Sequence, residues 1–165
     1  KSSDWNRHTY WRRVLNEMGG LYGNVCAYCA QWIPHGTGNH SVDHFISKAD
    51  RPDLAYEWTN FRYASARFNS RKGTRRILDP FEIPQYLFVM DFDTFLIHPN
   101  PDFSEESQRQ AKDTIKLLML NDDEDLISER QSYAFYYFNE LMDFSLVERH
   151  APFIASELAR QGLVR

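Results

Sequence analysis

Three short stretches carry side chains that could do chemistry together: Ser41-Val42-Asp43-His44-Phe45, Thr59-Asn60-Phe61 and Phe68-Asn69-Ser70-Arg71-Lys72-Gly73. An Asp-His pair closes a short strand-like run, Asn60 lies 16 residues beyond His44, and Asn69 follows 9 residues later, just ahead of a basic pair and a glycine. Hydrolysis of a phosphodiester needs a base to take a proton from water and a cation to carry the charge that builds on the phosphate and leaving oxygens. His44 suits the base, because imidazole titrates near neutral pH. Asp43 and Asn69 offer one carboxylate and one amide oxygen, a hard, oxygen-only set that suits Mg²⁺ or Mn²⁺ rather than Zn²⁺. Two protein ligands leave positions for water and the scissile phosphate. Asn60, whose amide donates and accepts at once, is a brace for the loop that carries His44. Taken singly, an Asp-His pair is most often a surface pair and an Asn before an apolar run a turn residue. It is the three in order, followed by Arg-Lys-Gly, that point to one site. Strict alternation would send Asp43 and His44 to opposite faces of a strand, so the strand must end or bend there.

This pattern resembles the HNH, or ββα-metal, endonucleases. The resemblance implies a hairpin with the Asp-His pair on its first strand and Asn60 at the start of its second, then a helix returning the last ligand. On this chain that places strand one at about Ser41 to Phe45, strand two at about Asn60 to Ala64 and the helix at about Ser65 to Lys72. It makes His44 the general base, Asp43 and Asn69 the metal ligands, and Asn60 the residue that orients His44. A final Asn in place of His is a known variant and sharpens the expectation of Mg²⁺.

At 165 residues, 42% hydrophobic and 15% aromatic, the chain is long and apolar enough for a packed core, as one domain or one domain with an extension. It has no apolar run of the ~20 residues a membrane span needs and no secretory leader pattern, so a cytoplasmic protein with no membrane partner is expected. Its two cysteines do not make a disulfide framework. The net charge of −4 conceals a split. Residues 1–78 hold 12 Lys/Arg against 6 Asp/Glu, residues 79–148 hold 4 against 16, and the last 17 residues balance at +2. The positive part contains the motif.

The spacing of Trp11, Val14, Leu15 and Met18 predicts a helix over Asp4 to Met18, capped by Asp4 and ended by Gly19-Gly20. Arg7, Arg12 and Arg13 lie off its apolar stripe. Next comes Cys26-Ala27-Tyr28-Cys29. In many HNH nucleases such a pair joins a second one in a structural zinc site, but the corresponding positions here are Ser65 and Phe68. His35 and His40 could complete four ligands only at a non-standard spacing. A structural zinc is therefore not expected; a knuckle with Phe68 packed in the metal's place is. No βαβ pattern surrounds the cysteines to support a thioredoxin-like role. Loops are read at Gln31 to Asn39 and Ile46 to Glu57; in the second, Lys48 and Arg51 could face substrate while Tyr56 and Trp58 pack beneath. Arg67, Arg71, Lys72, Arg75 and Arg76 place five cations in ten residues, suited to phosphate contact without sequence reading. A solvated helix end accounts for one or two of them more easily than for five.

Beyond Ile77 the pattern predicts a hairpin from Tyr86 to Met90 and Thr94 to Ile97, a helix from the Ser104 cap to about Leu120, and a helix begun by Asp122 to Asp125 and running through Tyr133, Tyr137, Leu141 and Met142. A last helix spans Pro152 to Gly162. Cys-Ala-Tyr-Cys, Val-Asp-His-Phe, Tyr-Glu-Trp-Thr-Asn, Leu-Asp-Pro, Thr114-Ile115, Leu120-Asn121 and Arg130 together are similar to HNH proteins of bacterial defence loci, over roughly residues 24 to 130. These include the HNH partner of a P-loop ATPase in Septu-type and retron-associated anti-phage systems. The combined expectation is an α+β protein: an N-terminal helix and ββα-metal core within 1–78, and an acidic hairpin-and-helix extension over 79–165 packed on it as one unit. It would cut DNA with Mg²⁺ or Mn²⁺, with an ATPase or other defence subunit as its protein partner. An RNA-cutting member, or a nucleic-acid-binding module that keeps the shape without turnover, is the alternative.

Overall fold

In a computed structural model of the chain, residues 14–165 are described. The predicted helix start at Asp4, with Arg7, Trp11, Arg12 and Arg13, lies outside them. Helix α1 is Leu15–Leu21, and it runs through Gly19 and Gly20 rather than stopping at them. Gly19 serves a close approach: a Cβ there would lie 2.8 Å from Asn24 Oδ1 and 3.4 Å from the Tyr63 ring.

Strands β1 (His40–His44) and β2 (Phe61–Ser65) form an antiparallel pair, with Asp43 opposite Arg62 and His44 opposite Phe61. Helix α2 (Ala66–Lys72) follows β2 directly and ends at Gly73, whose φ of +56° a side chain would resist. Both strands and the helix begin and end within a residue or so of the expected positions. The 46–57 loop contains a 3₁₀ turn at Pro52–Leu54, and a second such turn at Trp58–Asn60 leads into β2.

The second hairpin, β3 (Phe88–Met90) with β4 (Ile97–Pro99), is shorter and shifted from the predicted one. Asp91 accepts from Asp93 N and Thr94 Oγ1, which draws Thr94 and Phe95 into the turn instead of the strand. Helix α3 (Glu105–Leu118) is capped by Ser104, and Met119 in the left-handed region closes it. Helix α4 (Glu124–Phe138) is capped by Asp123 and stops short of Leu141. An unforeseen helix, α5 (Phe144–His150), follows, and α6 (Pro152–Arg160) is close to expectation. The architecture is α+β, two small antiparallel sheets among helices. No described helix is long and apolar enough to cross a membrane.

Two clusters of buried apolar side chains hold it together. One joins Met18, Tyr28, Phe61, Tyr63 and Phe68 to Ile97, Ile115, Leu118 and Leu126, so it draws on both sides of residue 78. The other joins Met90 to Tyr137, Val147, Ile154 and Leu158. Several residues after position 78 that stood out in the sequence are polar ties. Asp79 grips Arg62 of β2, Thr114 accepts from Leu78 N, and Asn121 brackets the backbone of Ile97. Arg130, fully buried, donates to the carbonyls of Phe95 and Leu120. Thr114, Asn121 and Arg130 thereby satisfy backbone groups that burial would otherwise strand.

Candidate active site

Ser41 and Asp43 share one face of β1, and α2 packs on that face. Asn69 Nδ2 donates to Ser41 Oγ at 3.1 Å, which leaves Oδ1 as its acceptor. One helical turn on, Lys72 places Nζ 2.8 Å from Asp43 Oδ2 and donates to His44 O at 3.2 Å. Tyr28, from the Cys-x-x-Cys turn, donates its hydroxyl to the same Asp43 oxygen. Burial first, and then the Asp43 charge, hold the Tyr28 phenol far above its ordinary pKa, so it remains a donor. Asp43 is 4% exposed and Lys72 0%. Asp43 and Asn69 thus reach one face, as a hard two-oxygen pair would require. Asp43 and Asn69 are the oxygen donors that could hold Mg²⁺ or Mn²⁺, with the other ligands from water and substrate, and the Lys72 ammonium already stands on the carboxylate. Among the described residues no group of three or more His, Cys, Asp and Glu side chains gathers as a ligand cluster.

β1 ends at His44, and its side chain takes the opposite direction from Asp43. His44 Nε2 lies 2.9 Å from Ala55 O, and its ring meets Phe61 edge-on at 5.1 Å. A carbonyl only accepts, so Nε2 carries the proton and Nδ1 is the basic atom of the neutral ring. Burial lowers the His44 pKa, partly opposed by the Ala55 hydrogen bond and reinforced by Lys48, which favours the neutral ring. Asn60, buried, does not bond His44. Its Oδ1 accepts from Ile46 N at 2.7 Å, and its Nδ2 donates to Ile46 O and Leu54 O at 3.0 and 3.2 Å. It ties both ends of the segment between His44 and Ala55, and so orients His44 through the backbone.

The proposed phosphate cations divide into distinct groups. Lys72 is in the interior, committed to Asp43. Arg67 and Arg71 each lie 2.6 Å from Asp123 Oδ2, and Arg71 also donates to Leu118 O at 3.1 Å. Asp123, buried at the start of α4, thus sits against α2 and occupies two of the cations read from the sequence as phosphate contacts. A charge balance over seventy residues says nothing about where one carboxylate points. Arg75 and Arg76 are exposed, Arg75 bonding the carbonyls of Lys72 and Arg71. Arg76 lines two clefts beside Phe45, of about 370 and 250 Å³. Lys48 is half-buried in the loop after His44, and Arg51 pairs with Asp53 at 2.5 Å. Tyr56 and Trp58, expected beneath the loop, are 50% and 44% exposed on it.

The Cys-x-x-Cys turn is closed by Cys26 N–H to Gln31 O and Ala30 N–H to Cys26 O, and Ala27 N donates to Tyr63 O of β2. Ser65 N donates to Cys26 Sγ at 3.4 Å, and Phe68 is buried against the turn. The turn thus meets the two positions, 65 and 68, where a second cysteine pair would stand. His40 does not join it: its Nδ1 contacts Tyr63 Oη, its Nε2 lies 3.1 Å from Pro34 O, and it stacks on His35. Tyr28, Asp123 and the inward Lys72 were missed from sequence. Lys72 was findable, since it stands four residues after Phe68 on the same buried helix face.

No family model matches the chain. Over 73 residues it is 32% identical to the Septu protein PtuB of Bacillus thuringiensis, a match that covers 44% of this chain and 27% of that protein. The likeness is distant, and the chain aligns with little more than a quarter of its relative.

Proposed function

We propose that this chain is a metal-dependent endonuclease of the HNH type that hydrolyses DNA phosphodiester bonds, as a nuclease effector in bacterial anti-phage defence. The observation that carries the reading is a strand pair followed at once by a helix, which brings Asp43 and Asn69 to one face while Asn60 fixes the loop beside His44. His44 Nδ1 takes a proton from the attacking water, and the Ala55 carbonyl holds the ring in the tautomer that permits it. Asp43 and Asn69 would hold Mg²⁺ or Mn²⁺, which when bound would supply Lewis-acid stabilisation of the charge on the phosphate and leaving oxygen. Arg75 and Arg76, exposed beyond α2, meet backbone phosphates and read no sequence. The similarity to a Septu protein supports the defence role and a place beside other subunits of such a system; a P-loop ATPase is the partner that the sequence resemblance implies.

A nucleic-acid-binding module without turnover is the second reading, favoured by the Lys72 ammonium already seated on Asp43. Plasmid nicking in Mg²⁺, run beside a structured RNA, tests both. Nicking by the wild type that His44→Ala removes supports the nuclease. Binding without cleavage supports the module, and cleavage of RNA alone replaces the substrate.

A further inference from the structure

Lys72 is a buried cation that the proposed reaction does not use, and it stands on the carboxylate that the proposed metal needs. Its Nζ is 2.8 Å from Asp43 Oδ2 and is wholly enclosed, with His44 O as a further acceptor and the Phe45 ring 5.5 Å away. Tyr28 occupies the same oxygen with its hydroxyl. Other charges nearby do not shift the balance toward negative. Arg62 is taken by Asp79, Nε to Oδ1 at 2.9 Å. Lys48 adds positive potential beside His44. Asn69 contributes a dipole and no charge. The ligand face therefore has no net negative charge of its own, and a divalent cation placed against Asp43 meets a fixed ammonium at close range in a poorly screened interior.

We infer that Lys72 makes metal binding conditional on substrate: the site takes Mg²⁺ or Mn²⁺ weakly alone and firmly only when a phosphodiester brings the missing negative charge. This rests on the nuclease reading above and adds to it an order of assembly. Metal and nucleic acid bind with positive coupling, and by reciprocity each raises the affinity of the other by the same factor. Lys72 is a positioning residue in this scheme, since it acts through Asp43. The arrangement keeps the free protein in a state with its carboxylate satisfied and no hydrolytic ion loaded.

The test is Mn²⁺ binding, followed by the electron paramagnetic resonance of free Mn²⁺. The wild type, Lys72→Met and Asp43→Asn are each measured with and without a duplex whose phosphorothioate linkages resist cleavage. The wild type should bind Mn²⁺ at least tenfold more tightly with the duplex than without it. Lys72→Met should bind Mn²⁺ alone about 10–100-fold more tightly than the wild type, the scale on which partners of a metal ligand tune affinity, and its gain from the duplex should shrink. Equal wild-type affinity with and without duplex overturns the inference, and that arm decides the matter by itself if Lys72→Met does not fold. A folded Lys72→Met that binds Mn²⁺ no more tightly than the wild type also overturns it. If Asp43→Asn abolishes Mn²⁺ binding while the duplex and Lys72 change nothing, only the conditional loading fails. If Asp43→Asn leaves Mn²⁺ affinity with duplex unchanged, Asp43 is not a ligand, and the nuclease site and this inference fall together.

Discussion

Asn60→Asp is a near-isosteric change whose effect can be worked from three hydrogen bonds. The bond from Ile46 N to Oδ1 survives it. The two donated by Nδ2, to Ile46 O and Leu54 O at 3.0 and 3.2 Å, are lost, and a carboxylate oxygen is pressed toward two carbonyl oxygens. Two hydrogen bonds at about 1 kcal/mol each, with about 1–3 kcal/mol for the buried acceptors left unmade, give a loss of about 3–5 kcal/mol, a large part of the ~5–15 kcal/mol that folds a domain. Urea unfolding reads it directly. The introduced carboxyl is disfavoured in its charged form, so its folded pKa rises above the unfolded value. Its protonated form can donate again, so the deficit is greatest at neutral pH and narrows as pH falls through the raised folded pKa. A loss under about 1 kcal/mol with no dependence on pH would refute the clamp. Nuclease activity at a temperature where the variant remains folded should also drop, because Ala55 O, which fixes His44, lies next to Leu54 in the released segment.

Four further outcomes follow from the same contacts. His44→Ala should lower plasmid nicking by about 10²–10⁴-fold while gel-shift binding to DNA persists; nicking at the wild-type rate rules out His44 as the base. Neutralising Arg75 and Arg76 together should weaken binding to all duplex sequences alike and flatten its salt dependence by roughly one unit of slope per lost phosphate contact, measured by fluorescence anisotropy against salt. Asp123→Ala removes the α4 cap, worth about 0.5–2 kcal/mol, and strips Arg67 and Arg71 of their shared carboxylate. The total should be about 2–4 kcal/mol by urea unfolding, and a loss within experimental error would make the contact incidental. The native state binds a proton at His44 less readily than the unfolded chain, because burial lowers its pKa from 6.5. Stability should therefore decline as pH falls below about 6.5 toward the depressed value, and a His44→Ala variant with the same decline would assign it elsewhere.

The hairpin and α2 were legible because their residues agree at each level. A strand-forming run ends at an Asp-His pair, a second begins after an Asn, and Gly73 stops the helix. Asn60 was legible as a brace, since few side chains donate and accept together, but its targets are backbone groups that no spacing names. Helix α5 was hidden by the continuous aromatic pattern from Tyr133 to Phe144, which reads as one longer helix. The inward turn of Lys72 was obscured by its basic neighbours, although its distance from Phe68 gave the face. Asp123 could not be found from charge counts, because its direction is fixed by its place as a cap. That is a property of one residue's backbone, and it outweighs the sign of the segment around it.

The same Asp123 carboxylate belongs to two structures at once. Its Oδ1 accepts from Leu126 N to start α4, and its Oδ2 stands between the guanidinium groups of Arg67 and Arg71 on α2. The first turn of α4 therefore cannot fray without leaving two cations on α2 uncompensated, and α2 cannot detach without uncapping α4. Their amide protons should exchange with solvent as a single cooperative unit, at one opening free energy, although more than fifty residues of chain separate them. A long-range connection of this kind gives the short helix a persistence that its seven residues could not sustain alone.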